Sequence, residues 1–455
     1  MTASVPAIAV PAFALTWWLG CYLVGRDPTR ALLWRAGAAL VAYAIAVAAW
    51  SLAPGSGIAQ LLICVPALCW AGVSVGLLPP EVPEHRQVNR GWPVLALVFL
   101  VLAAALPGVG KLVALAPLAG GMALLLRYRD QARPSSLPSA LTAAAILYTL
   151  GLVVMLGPID LGPPIVVLAA IGIDLLLMGY LVAVADAVDL GERLLPDLRR
   201  SLLAAVLAVL LCGGPAALTM LAAPGLGAVR VLQFVLLAAV LSAVGLAGQL
   251  RAGLDQLAFG SDDRLRQNRS VLLRAADALP RRRGRHQMPV LDAEEFRRLT
   301  RRALDDFGDV GRLLRNPLAE LPAVDRRLAA RGPGAADQPL VRAAELRAVL
   351  GEHVARLRPA GGFDTTEEWR FFNALYYCGV MGLRPYQRGP QPEGLDRDAR
   401  RAVDWFRRYV PRRSMHRWQA EGAAMVAAQL WRDLIATDPR WLTGAGAATR
   451  RQPVR

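Results

Sequence analysis

The sequence predicts an all-α protein: a polytopic bundle of about nine transmembrane helices, N-terminus outside and C-terminus inside, followed by an all-helical cytoplasmic domain. Three observations predict it. Of 455 residues, 55% are hydrophobic, above the roughly 45–50% of soluble domains. The apolar residues gather in stretches of membrane-crossing length, the last being Val231–Leu250. Beyond it the composition turns to arginine: thirteen Lys+Arg and ten Asp+Glu precede Arg251, leaving 38 and 25 of the totals of 51 and 35 for the remainder. The chain therefore divides into a transmembrane domain (1–250), a juxtamembrane basic helix with a linker (251–289) and a helical domain (290–455).

A bilayer core takes about 20 apolar residues in a helix, within a range of roughly 17–25. The stretches that fit are 7–25, 31–53, 58–78, 92–108, 112–126, 139–157, 164–187, 201–221 and 229–250. The fourth and fifth are the shortest and form either two spans or a re-entrant pair; 112–126 is the doubtful crossing, and losing both leaves the parity intact. The first stretch has no basic residue before it and no small-residue cleavage site after it, so it reads as a retained span.

Orientation follows from the basic residues. Connections of one parity hold Arg26, Arg30, Arg35, Arg86, Arg90, Arg127, Arg129, Arg133, Arg193, Arg199 and Arg200; the other parity holds Lys111 and Arg230. Lysine and arginine in short loops are retained on the cytoplasmic side, which places everything after Leu250 inside. Among the polar residues within the spans Asp174 stands out, about ten residues into its helix and near the bilayer centre. A carboxylate there is expected to face the bundle and find a partner among Tyr43, Gln60, Tyr148 and Thr149. It reads equally as a ligand or proton group and as an interhelical contact. Asp186, Asp189 and Glu192 are expected on a solvated rim.

After the last span, Arg251–Leu279 continues with helical periodicity, broken at Gly260, with Ser261 placed to cap the second piece. Leu265, Leu272 and Leu279 recur every seven residues, compatible with a short parallel seam in a homodimer. Arg281, Arg282, Arg283 and Arg285 suit an anionic inner leaflet. Asp292 and Glu295 have capping-box spacing ahead of Phe296, Leu299, Ala303 and Phe307. Helices are expected over Leu313–Ala330 and Pro339–Leu357, and again from Thr365, where the aromatics of EWRFFNALYY read as core.

The last expected pair is Asp396–Tyr409 and a helix capped by Ser414, with Met415, Trp418, Met425, Leu430 and Leu434 on its apolar face. The short join admits two readings. One is a packed helical hairpin. The other is a helix-turn-helix presenting Arg413, His416, Arg417 and Gln419 to DNA.

The segment TWWLGCYLVGRDPTRALLWRAGAALVAYAIAV, an apolar span, an arginine turn and a small-residue span, resembles the multi-helix sensory membrane regions of bacterial signalling proteins. The resemblance implies a bacterial inner (plasma) membrane and a signal passed through the last span to an output. The usual kinase output is missing: His353 is followed by VARLRP, without the acid expected beside a phosphoacceptor. The C-terminal half resembles helical domains of bacterial membrane proteins that carry no assigned chemistry. No phosphate loop, HExxH, GxSxG or kinase signature occurs, and the cysteines and histidines form no ligand spacing. No catalytic residue, metal or cofactor is therefore assigned. The favoured function is a sensor or scaffold whose cytoplasmic domain docks a protein partner. The alternatives are a membrane-tethered DNA-binding regulator and a transporter or membrane enzyme using Asp174.

Overall fold

The computed structural model describes residues 4–78, 85–129, 136–157, 162–222, 227–259, 262–281, 293–331, 337–387 and 395–437. Among them no strand occurs. The chain forms two compact units, one of residues 1–189 with 194–262 and one of residues 190–193 with 263–455.

The first unit is a bundle of α1 (Ser4–Arg26), α2 (Ala31–Leu52), α3 (Gly57–Gly76), α4 (His85–Ala105), α5 (Ala116–Arg127), α6 (Leu137–Leu156), α7 (Pro164–Leu190), α8 (Leu195–Ala222) and α9 (Gly227–Gly245), followed by α10 (Ala247–Ala258). Seven helices among the described residues are long and apolar enough to cross a membrane: α2, α3, α4, α6, α7, α9 and the continuous segment Gly108–Arg127. Val94, Leu97, Leu210 and Leu232 point outward, as befits a bundle set in lipid.

With lipid outside, helices associate by close packing and interhelical hydrogen bonds rather than by expelling water. The α1–α2 contact shows this. A Cβ at Gly37 would lie 2.7 Å from the Gly20 carbonyl oxygen, so the two backbones meet only because both residues are glycine. Two indoles of α1 tie it to the end of the bundle: Trp17 Nε1 donates to Ser242 Oγ at 2.9 Å and Trp18 Nε1 to Ser201 Oγ at 3.0 Å. Ser56 caps α3, accepting from the Ala59 amide.

The expected fourth and fifth stretches are α4 and a 3-10 turn, Gly108–Leu115, running into α5. Buried Lys111 folds back there, its Nζ donating to the carbonyls of Ala103 at 3.2 Å and Leu106 at 2.7 Å. A cation among the orphan carbonyls of a helix C-terminus is favourable both as hydrogen bond and as dipole complement. Arg230 does the same for α2, donating to the Ser51 carbonyl. The two basic residues that depart from the arginine polarity are thus both committed to helix ends.

The second unit contains α11 (Asp263–Ala278), α12 (Ala293–Asp305), α13 (Val310–Arg315), α14 (Pro322–Ala330), α15 (Pro339–Ala355), α16 (Arg370–Leu375), α17 (Arg397–Tyr409) and α18 (Arg412–Thr437). Its core is its own. α12 buries Phe296, Leu299, Ala303 and Leu304, and α17 buries Ala399, Ala402, Val403 and Phe406, each at three- and four-residue intervals. Asp309 and Asp396 cap α13 and α17 through the amides of Arg312 and Ala399. Trp369, Phe372 and Tyr377 pack together in this core as expected.

Several expectations shift in detail. Ser261 and Asp292 lie outside the described residues. Leu313–Ala330 is α13, a 3-10 turn and α14, because Pro317 and Pro322 each restart the chain. Ser414 falls inside α18 rather than capping it. The helix begins at Arg412, and the Pro411 carbonyl takes the Met415 amide at 3.1 Å. Met425 is 43% exposed, whereas Gly422, Ala423, Val426 and Ala427 are buried. α18 lies against α12 and α16, with Phe296 and Trp431 rings 5.0 Å apart, which needs small residues on its inner face.

Candidate functional site

Clusters of charged side chains occur in both units. In the first unit, α1, the α1–α2 turn, α7 and α8 bring together two arginines, three aspartates and a tyrosine. Arg26 Nε meets Asp186 Oδ2 at 3.0 Å, and both side chains are essentially without solvent contact. Arg30 Nη1 reaches the other oxygen of Asp186 at 2.5 Å, and its Nη2 lies 3.3 Å from Asp189 Oδ2. Arg26 Nη1 also lies 3.5 Å from Asp197 Oδ2, which accepts the Tyr22 hydroxyl at 2.9 Å. Asp197 sits in the first turn of α8, where a negative charge complements the helix dipole. Both oxygens of Asp186 are thus matched to guanidiniums, the condition under which a buried carboxylate is tolerated. Asp186 is therefore no solvated rim residue. Glu192 is buried as well, within the second unit, 3.0 Å from Arg315 Nη1.

Asp174 does not take the expected place. It is half-buried between exposed Ile173 and Leu177 and has no hydrogen-bond or ion-pair partner among the described residues. The four side chains expected to serve it are engaged with backbone carbonyls. Tyr43 donates to Leu168, Tyr148 to Ile63 at 3.3 Å, Thr149 to Ala145 at 2.7 Å and Gln60 to Gly55 at 3.4 Å. A hydroxyl in an apolar bundle is satisfied most readily by the nearest carbonyl, and here that is not the carboxylate.

In the second unit a cleft of about 270 Å³ opens between α14, α15 and α18. Its floor is apolar, with Val349, Leu430 and Leu434 buried. Its polar wall is His353, Arg356 and Asp433. His353 is 4% exposed. Its Nδ1 lies 2.8 Å from the Val349 carbonyl, one turn back on α15, and its Nε2 lies 3.1 Å from Asp433 Oδ2. Arg356 Nη1 donates to the same oxygen at 2.8 Å and lies 3.4 Å from His353 Nε2.

With Nδ1 donating to Val349, a neutral ring offers Nε2 as an acceptor to Arg356, whereas a protonated ring donates Nε2–H to Asp433. Arg356 above all, and then His353, hold the Asp433 carboxyl below its ordinary range. On the facing wall Arg327 is spent on Glu345 at 2.6 Å and Glu352 at 2.5 Å. Exposed Arg326 has no ion-pair partner among the described residues.

His353, passed over in sequence because the acid beside a phosphoacceptor is lacking, is thus the most buried polar group of the cleft. Its partner Asp433 is 80 residues away, and no spacing signal joins the two.

Of the residues proposed to meet DNA, Arg413, His416 and Arg417 are exposed on the first turns of α18. Gln419 instead donates to the Ala374 carbonyl at 3.3 Å, and Arg417 lies 3.9 Å from Glu421. Of the basic cluster, Arg281 ends a 3-10 turn, and Arg282, Arg283 and Arg285 lie outside the described residues. Among the described residues no group of three or more His, Cys, Asp or Glu is placed to hold a metal. No protein-family model matches the chain, and neither does any curated protein or solved structure.

Proposed function

We propose that this chain is a nine-span protein of the bacterial plasma membrane, N-terminus outside, that relays a membrane-borne signal through, or serves as a scaffold for, a helical cytoplasmic domain and its protein partner. The observation that carries the reading is the ion cluster of Arg26, Arg30, Asp186, Asp189 and Asp197, in which the Arg26–Asp186 pair is buried and Asp189 reaches the surface. Buried ion pairs add little net stability compared with apolar packing, and their best-attested use is to select one arrangement among several. Here the cluster binds the ends of three apolar helices on the side marked by arginine, where a shift of one helix exchanges carboxylate partners. The basic run Arg281, Arg282, Arg283 and Arg285 has the composition that suits an anionic inner leaflet.

The experiment has two arms. A tag after Arg455 is expected to be closed to impermeant reagents on intact cells and open in inverted vesicles; the reverse overturns the topology and the reading with it. A photo-crosslinker placed at exposed positions of the second unit in growing cells is expected to yield a discrete protein adduct whose yield changes in Asp186→Asn. Absence of any adduct overturns the partner-docking function.

A further inference from the structure

The cleft of the second unit holds more cationic groups than its own carboxylates balance. Arg327 is matched by Glu345 and Glu352, and Arg356 shares Asp433 with His353, but Arg326 on the opposite wall has no carboxylate. Between these walls lies a buried apolar floor that includes Val349 and Leu430. A concave site with an apolar floor and a few convergent polar groups is the ordinary form of a small-ligand pocket. About 270 Å³ holds a molecule of roughly ten heavy atoms, taking about 30 Å³ per water-sized group.

Asp433 shows which chemistry the polar wall accepts. Its carboxylate is about half exposed, yet one oxygen receives both Arg356 Nη1, at 2.8 Å, and the His353 Nε2 direction, at 3.1 Å. His353 and Arg356 thus form a carboxylate-binding pair, filled here by a side chain from the last turns of α18. We propose that this cleft binds a small organic carboxylate with an apolar body, its charge taken by His353 and Arg356 in exchange for Asp433 and its far side flanked by Arg326.

The exchange conserves charge at the polar wall, one carboxylate replacing another. It makes Asp433 a competitor of the ligand, so neutralising Asp433 strengthens binding rather than weakening it. A merely structural role for the His353–Asp433 contact predicts the opposite.

The test uses the full chain in lipid nanodiscs, labelled with carbon-13 at the ε1 position of its 4 histidines, the His353 signal being assigned with His353→Gln. Sodium benzoate is expected to move the His353 signal saturably, and benzamide, of the same shape without charge, to leave it in place. Asp433→Asn is expected to tighten benzoate about tenfold, and Arg326→Gln to weaken it about threefold. Arg326 is exposed and outside every ion pair among the described residues, so its replacement decides the matter even if Asp433→Asn unfolds the unit. An equal response to benzamide, looser binding in Asp433→Asn, or unchanged binding in Arg326→Gln each overturns the proposal.

Discussion

Arg26 and Asp186, 160 residues apart in the chain, meet as a fully buried ion pair with Nε and Oδ2 3.0 Å apart. The contact joins the C-terminal end of α1 to that of α7, and Arg30 adds a second guanidinium to the same carboxylate. Losing Asp186 alone leaves the buried Arg26 with only Asp197 at 3.5 Å, while losing Arg26 and Asp186 together removes both buried charges and leaves Arg30 to Asp189 and Asp197 to Tyr22.

Asp186→Leu is accordingly expected to destabilise the protein by about 3–5 kcal/mol, and the double replacement Arg26→Leu/Asp186→Leu by clearly less than the sum of the two single losses. Unfolding of the four variants in mixed micelles measures the coupling. Simple additivity would show that the pair is not a unit.

Asp174 gives the contrasting case. Because its carboxylate has no hydrogen-bond or ion-pair partner among the described residues, Asp174→Asn is expected to change stability by no more than about 0.5 kcal/mol. A large loss in the same micelle assay would reveal a contact made outside the described residues. A transport or growth defect at unchanged stability would revive the transporter reading.

The second unit is expected to weaken in acid through Glu345, whose pKa is depressed by Arg327 first and Arg331 next. A group with a depressed folded pKa contributes stability that is fully present above its unfolded value, about 4.3 for glutamate, and is lost as pH falls through the lower folded value. Urea unfolding of the second unit's core between pH 7 and pH 3 should therefore show a decline that Glu345→Gln flattens. An unchanged slope in that variant would assign the decline to other carboxylates.

Cys378 offers a chemical check. Burial pushes its thiol up to about 12, so at pH 8 only roughly one molecule in ten thousand carries the reactive thiolate. Maleimide is expected to leave Cys378 unlabelled in the folded protein and to label it once urea unfolds the unit. Rapid labelling of the native protein would mean that the core around α16 opens.

Legibility in the sequence tracked the range of the interaction. The helix expected over Asp396–Tyr409 could be placed because its determinants are local, Asp396 meeting the Ala399 amide 3 residues on, and Phe296, Leu299 and Ala303 could be read as core because helical period alone puts them on one face. The α18 cap was misplaced by three residues, Ser414 for Pro411, since proline at position 411 already supplies the carbonyl that starts the helix. Met425 was misread because the tight approach of α12 and α16 selects the stripe of small residues instead. Asp186 was read as exposed because it lies near the end of an apolar run, and nothing local announces that two arginines lie above it.

By itself, then, the sequence determined that this is a helical chain with several apolar helices suited to a membrane, and that its basic residues before Arg251 fall mostly in connections of one parity. These are properties of one helix or one loop at a time, set by periodicity, length and charge. Only the tertiary structure decided that Arg26 serves Asp186, that the hydroxyls of Tyr43 and Tyr148 go to backbone carbonyls instead of Asp174, and that His353 and Asp433 share a cleft. Each of those depends on where separate helices come to rest, which close packing of glycines and indoles settles and linear spacing does not encode.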